Sequence, residues 1–363
     1  MLIKPDVNRF AKIKVLGIGG GGTNALNSMI AQAQIQGVDF VAVNTDQQHL
    51  LASVAQTKVQ IGDGITKGLG AGADPEIGRR AAEESLERIK EVITGADMAF
   101  LTYGAGGGTG TGGGPIIADM ARKMGILTVA VITKPFAFEG TRRMIIADEG
   151  IETLRDKVDT LIVIPNQKLL EVVEKDVPLL EAFKLADSIL GQGVQGISDI
   201  IVMPGLINVD FADVKTIMTN AGTTLMGVGT SSGENRATIA ARQAIASPLL
   251  DSSIDGARGV LFNITGGQDM TMNEVDEAAK VITSQADPDA QIIFGAAIDE
   301  KVIDQIKVTV VATGFDETRR KFAPLTLEDA ETKVLAEGEE PQDKDDQIDE
   351  SQFDIPTFLR QIR

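Results

Sequence analysis

Apolar residues fall in short, nearly continuous runs separated by amphipathic stretches. The runs at 12–18, 39–43, 96–102, 127–132 and 160–164 have strand length and little polar alternation. That pattern predicts parallel strands buried on both faces. Residues 24–34, 75–94, 115–124 and 140–156 carry the spacing of helices, and a Gly-rich loop spans 62–74. Strand–helix alternation predicts a Rossmann-like α/β domain with a parallel sheet. One long helix is expected over 178–203, stopped by Pro204-Gly205, although Gly191, Gly193 and Gly196 weaken it. Beyond it, helices at 211–220, 234–247 and 272–285 and strands at 257–264, 290–297 and 305–313 predict a second, smaller α/β domain with a mixed sheet. The expected boundaries are 1–177, a central helix 178–205, 206–316, a linker 317–350 and a C-terminal peptide 351–363.

Charge refines this outline. The 363 residues include 34 basic and 52 acidic side chains, a net charge of −18. Nucleic acid is therefore not expected as a partner, since phosphate backbones need clustered Lys and Arg. Residues 328–350 hold eleven acids and two bases. With few large apolar side chains, this stretch is expected to be a disordered linker. Cysteine is absent and His49 is the one histidine, so a thiolate or multi-His metal site is excluded. His49 is expected to be a surface residue without a catalytic role. No signal peptide is expected at the start of the chain, and no apolar run approaches the ~20 residues of a spanning helix. A cytoplasmic protein with no direct membrane insertion is the expectation.

Two glycine clusters carry the chemistry. Gly17-Ile18-Gly19-Gly20-Gly21-Gly22-Thr23-Asn24 joins the first strand to the first helix. It matches G-x-G-x-x-G, with Asp39 and Asp46 downstream, and alone would suggest a dinucleotide-binding oxidoreductase. The second cluster, GAGGGTGTGGG at 104–114, has eight glycines in eleven residues. Such a loop can wrap an anion in bare amides, and Thr109 and Thr111 add hydroxyls. Pro115 follows at the favoured first position of a helix. A dehydrogenase has no such second cluster, and the chain lacks G-x-x-x-x-G-K-[ST]. The phosphate charge must then fall on amides, helix ends and a metal.

The string GGGTGTG at 106–112 resembles the signature of the tubulin/FtsZ family of GTPases. So do VNTD at 43–46, ITKGLGAGADPEIG at 65–78, TKPFAFEGTRR at 133–143, IPNQKLL at 164–170, GVQGISDII at 193–201, PGLINVDFADVKTIM at 204–218, SPLL at 247–250 and TVVATGF at 309–315. The resemblance covers roughly residues 10–316 and the tail, and is greater to the bacterial cell-division branch than to tubulin. Tyr103, Ala105, Gly113 and Gly114 depart from the family pattern beside the phosphate loop.

The resemblance implies a GTPase that takes GTP with Mg²⁺ and polymerises head to tail. It implies phosphate contacts from Gly20, Gly21, Gly22, Thr23, Asn24 and Ala25, and from Gly107, Gly108, Thr109 and Gly110. Ala71, Gly72 and Ala73 would sense the γ-phosphate, with Asn44 close to the phosphates. Glu139, Arg143 and Asn166 would contact ribose or base. Phe183 and Asp187 lie four apart on one helix face, so Phe183 can stack on guanine while Asp187 accepts from its N1–H and amine. Asp210 and Asp213 are spaced as an N-cap and a first-turn acid. The resemblance makes Asn208, Asp210 and Asp213 a catalytic loop that enters the next subunit's site. Residues 351–363 resemble a peptide that docks on membrane anchors and division regulators at the division site. A non-hydrolysing scaffold or partitioning filament of the same fold is the remaining alternative.

Overall fold

The structure is a computed structural model that describes residues 11–33, 35, 37–172, 178–202, 205–207, 209–247, 253–299, 302 and 304–315. The first half runs β1 (Ile13–Ile18), α1 (Gly19–Ser28), β2 (Val38–Asn44), α2 (Gln47–Ala52), β3 (Thr57–Gln60), α3 (Asp63–Thr66), α4 (Pro75–Glu84), α5 (Leu86–Ile93), β4 (Met98–Gly104), α6 (Thr109–Lys123), β5 (Leu127–Lys134), α7 (Thr141–Arg155), β6 (Thr160–Pro165) and α8 (Asn166–Val172). Then come α9 (Leu179–Val202), α10 (Phe211–Met218), β7 (Gly222–Thr223), β8 (Leu225–Ser232), α11 (Arg236–Ile245), β9 (Gly259–Gly266), α12 (Met272–Thr283), β10 (Gln291–Ile298) and β11 (Gln305–Thr313). The linker and C-terminal peptide lie outside the described residues.

Seven strands form a parallel sheet in the order β3-β2-β1-β4-β5-β6-β7. The second sheet is mixed, in the order β10-β9-β11-β8, with β11 antiparallel to both neighbours. The expected Rossmann-like domain and smaller mixed-sheet domain are both present. The short β3 and β7 escape a pattern search by length alone. β8 (LMGVGTSS) escapes it because Gly227 and Gly229 interrupt its apolar run. Those glycines let α11 lie on the strand: an added Cβ would come 1.8 Å from Ala244 O and 2.0 Å from Ala240 O.

α9 is continuous over 24 residues despite its glycines. Bare Cα positions face both sheets. A Cβ on Gly193 would meet Val131 of the first sheet at 3.1 Å and Met226 of the second at 3.4 Å, and one on Gly196 would sit 2.6 Å from Thr309. The helix propensity lost at each glycine is offset by this close packing. One core cluster accordingly joins Val131 and Ile162 of the first sheet, Leu190 and Val194 of α9, and Leu261 and Val311 of the second.

Three helix boundaries differ from expectation. α1 begins at Gly19, not Asn24, and α6 begins at Thr109, not Pro115. The expected 75–94 helix breaks at Ser85, whose buried hydroxyl accepts from Gly62 N at 3.0 Å. Pro115 sits inside α6 rather than at its start. The glycines before it serve packing. A Cβ on Gly112 would come 1.8 Å from Pro75 O of α4, and one on Gly114 would come 2.5 Å from the Tyr103 ring. Tyr103 is fully buried on β4. The departures at 103 and 114 thus fit each other: a large ring opposite a missing side chain.

This pairing predicts that Gly114→Ala lowers unfolding free energy by about 1–3 kcal/mol through overpacking. In a Tyr103→Leu background the cost should shrink by more than ~0.5 kcal/mol. Strictly additive effects in denaturant titrations would refute the contact.

Candidate functional site

The two central strands, β1 and β4, carry the chain outward in opposite directions across the sheet. The crevice at their C-terminal ends is a topological switch point, where open α/β sheets bind ligands. α1 starts at the residue after β1, and α6 starts five residues after β4 ends at Gly104. Neither N-cap, Ile18 or Gly108, caps its helix with a side chain. Both first turns therefore leave amides for an outside acceptor, with helix dipoles favouring an anion. The two ends touch: a Cβ on Gly19 would be 3.2 Å from Gly110 N. Gly21 approaches Gly104 N equally closely, at 3.3 Å from an added Cβ.

A cavity of about 370 Å³ opens there. Gly20, Gly21, Asn24, Glu139, Arg143, Asn166, Phe183 and Asp187 line it. These residues come from α1, the turn before α7, α7, α8 and α9, so the fold gathers side chains spread over 168 positions of sequence. Gly104 and Ala105 of the second glycine cluster also line it, as do Thr133, Pro135, Ala186 and Leu190, which the sequence does not single out. Ala186 and Leu190 complete a one-face stripe with Phe183 and Asp187, and helical spacing would have found them. Thr133 and Pro135 stand at the C-terminal end of β5, the edge of the same crevice.

The other expected contacts lie off the cavity lining. Gly22, Thr23 and Ala25 are on the buried side of α1. Thr23 Oγ1 donates to Gly19 O at 2.7 Å within its own helix, and a Cβ on Gly22 would strike Thr102 O at 2.3 Å. Asn44 is buried at the end of β2. Ala71 is buried, whereas Gly72 and Ala73 are exposed and both have φ of 60°. Gly107 is half-buried; Gly108, Thr109 and Gly110 are buried. Gly108 packs under the 71–74 turn, where an added Cβ would meet Ala71 Cβ and Asp74 N at 2.8 Å. The two threonine hydroxyls are already engaged: Thr109 with Thr45 at 2.7 Å, and Thr111 accepting from Gly106 N at 2.9 Å.

The lining has directed chemistry. Glu139 pairs with Arg143 at 2.9 Å and accepts from Phe136 N at 2.9 Å, so the ion pair also fixes the turn before α7. Phe183 is 39% exposed and meets Phe136 edge-on at a centroid distance of 5.5 Å, leaving ring surface open to the cavity. Burial pushes the Asp187 carboxyl up to about 7. Asn166 is buried, and its Oδ1 has no hydrogen-bond partner among the described residues. An orphaned acceptor at a cavity wall fits a donor arriving with a ligand.

His49 has partners that the sequence did not show. It is half-exposed, but its ring lies between Asn44 and Asn24, within 3.3 Å and 3.1 Å of their side chains. Asp210 and Asp213 are not brought to the cavity of their own chain. Asp210 caps α10 by accepting from Asp213 N at 2.8 Å, and both are exposed. Asn208 lies outside the described residues. The preceding segment instead pairs with the second sheet, through the Ile207–Ala296 bridge.

Residues 12–174 match the model of the tubulin/FtsZ family GTPase domain, and residues 222–316 match the FtsZ family C-terminal domain. An FtsZ dimer from M. jannaschii, solved empty, is 48% identical with a TM-score of 0.80, over 84% of this chain and 88% of that one. The chain belongs to the tubulin/FtsZ family of GTPases. A point mutant of the same FtsZ matches at 48% identity and TM-score 0.80, over 84% of this chain and 91% of that one. The fold also extends to CetZ2 from Haloferax volcanii, solved as a GTPγS-bound protofilament, at 20% identity and TM-score 0.72 over 90% of this chain and 99% of that one. Among the described residues of this FtsZ-family chain, no helix is long and apolar enough to cross a membrane.

Proposed function

We propose that the cavity binds GTP and that hydrolysis occurs only when a second copy closes the site, so that the chain assembles head to tail into filaments. The observation that carries this reading is a division of parts. Two uncapped helix N-termini meet over the crevice, while the exposed acids Asp210 and Asp213 are not among the residues that line it. Phosphoryl transfer needs charge stabilisation at the phosphates and a positioned water. The amides of Gly20, Gly21 and the first turn of α6 supply the former. Asp210 and Asp213, brought by the neighbouring copy, would orient the water. Leu69, 84% exposed and bridged to Asp46, and Leu206, 71% exposed ahead of α10, are apolar surface that such a contact would cover. A heterologous contact of this kind does not close and propagates a filament.

Mg²⁺ would arrive with the phosphates of the nucleotide. When bound it would neutralise phosphate charge. Residues 1–177 would form the nucleotide unit, 178–205 the connecting helix and 206–316 the unit presenting the acids. Residues 317–350 would space the peptide 351–363, which docks on membrane-anchor and division-regulator proteins and places filaments at the division site of the cytoplasm.

Base recognition is assigned to Phe183 and Asp187. Guanine offers N–H donors, so Asp187 must be ionised to accept both. Its raised pKa in the free protein means that protons compete with the base: affinity is full above about pH 7 and is lost as pH falls through it. Isothermal titration with GDP between pH 5.5 and 8.5 should show a loss approaching tenfold per unit on the acid side, beyond that of Asp187→Asn. Parallel pH profiles for the two proteins would exclude the assignment.

Assembly coupling is tested by phosphate release measured together with light scattering after adding GTP and Mg²⁺. Turnover per chain should rise with protein concentration. Asp213→Ala should bind GTP, lose most turnover and give longer-lived filaments. Turnover independent of concentration, or wild-type hydrolysis by Asp213→Ala, would refute the shared site. Deleting 351–363 should leave GTPase and assembly intact but abolish capture by a membrane anchor, and retained capture would count against the docking role.

A further inference from the structure

His49 stands on α2, where its backbone N–H donates to Asp46 Oδ1 at 3.1 Å. Its ring is placed by two asparagines: Nδ1 lies 3.3 Å from Asn44 Nδ2, and Nε2 lies 3.1 Å from Asn24 Oδ1. The sense of these bonds follows from a backbone group. Asp46 N–H donates to Asn44 Oδ1 at 3.2 Å, which pins the carbonyl end of that amide and turns its NH₂ toward the ring. An amide NH₂ only donates, so His49 Nδ1 must accept. The neutral ring then carries its proton on Nε2 and donates it to Asn24 Oδ1. Asn24 lines the cavity, and with its Oδ1 taken its NH₂ is the end left for a ligand. Phosphate and ribose-ring oxygens only accept, so this is the useful orientation.

We propose that His49 is a positioning residue for nucleotide binding: it holds the Asn24 amide with its donor end toward the nucleotide. The polarity is relayed from the Asp46 amide through Asn44 and His49. This proposal rests on the nucleotide reading of the cavity. A mere tether between α2 and α1 is a different role, and the fold already has one: Asn27 Oδ1 accepts from Ser53 Oγ and Val54 N, both at 2.9 Å. Loss of the imidazole therefore leaves α2 attached, and binding can be read apart from folding.

Because His49 is the chain's one histidine, its imidazole nitrogens are unambiguous in a ¹⁵N spectrum of the full-length protein. The Nε2–H tautomer is expected at neutral pH, with both nitrogen shifts moving when GDP is added. His49→Ala should weaken GDP binding about 3–10-fold, the range of one net hydrogen bond. His49→Gln, whose amide can donate to Asn24 from the place of Nε2, should restore binding to within about twofold. Thermal unfolding of each variant reports the tether separately. An Nδ1–H tautomer, equal GDP affinity in all three proteins, or lowered stability with unchanged affinity would overturn the proposal while leaving the cavity assignment standing. Failure of the wild type to bind GDP would remove both.

Discussion

The structure depends on bringing main chain against main chain where β1 and β4 meet. Two helices must start within van der Waals contact of each other, each offering bare amides to the same point. Like partial charges at two helix ends repel, and nothing in the first turns caps them, so the juxtaposition has to be held from behind. Gly22 against Thr102 O holds α1 down on β1 and β4. Gly112 against Pro75 O, and Gly78 against Gly108 O, hold α6 against α4. Tyr103 fills the space under α6 that Gly110 and Gly114 leave. The glycines that leave amides bare at the two helix starts are thus accompanied by others that keep that geometry in place.

This explains which parts of the molecule were legible in the sequence. The parallel strands were, because a strand buried on both faces is a continuous apolar run. The crevice was also, because both glycine clusters stand at the C-terminal ends of strands. The starts of α1 and α6 were misplaced because glycine and internal proline score as helix breakers. Here tertiary contact overrides propensity: a helix of low intrinsic stability is kept by packing that larger residues would prevent. The same reasoning applies to α9, whose three glycines looked like interruptions and are contact points with Met29, Val131, Met226 and Thr309.

At the level of the site, side chains were found where chemistry and spacing agreed, as for Phe183 and Asp187. They were missed where the useful property was position alone, as for Thr133 and Pro135 at the end of β5. The side-chain partners of His49 are invisible in the sequence for a different reason. They are five and twenty-five residues away, and no local pattern shows that α2 lies beside α1. Gly22, Thr23 and Ala25 share a motif with Gly20, Gly21 and Asn24, yet helical rotation puts the two sets on opposite sides. A motif read as a string does not distinguish the two sets, whereas a helix beginning at Gly19 buries one and exposes the other to the cavity.

A crevice walled by main chain has an unusual relation to mutation. Side-chain truncation, the ordinary way to find what a residue contributes, has nothing to remove at Gly21, Gly108 or Gly112. At such positions alanine is the intruder, and a single added methyl is the smallest available perturbation. Damage to this crevice therefore comes from gaining atoms, and its tolerance to substitution is set by free volume rather than by the chemistry of what is lost.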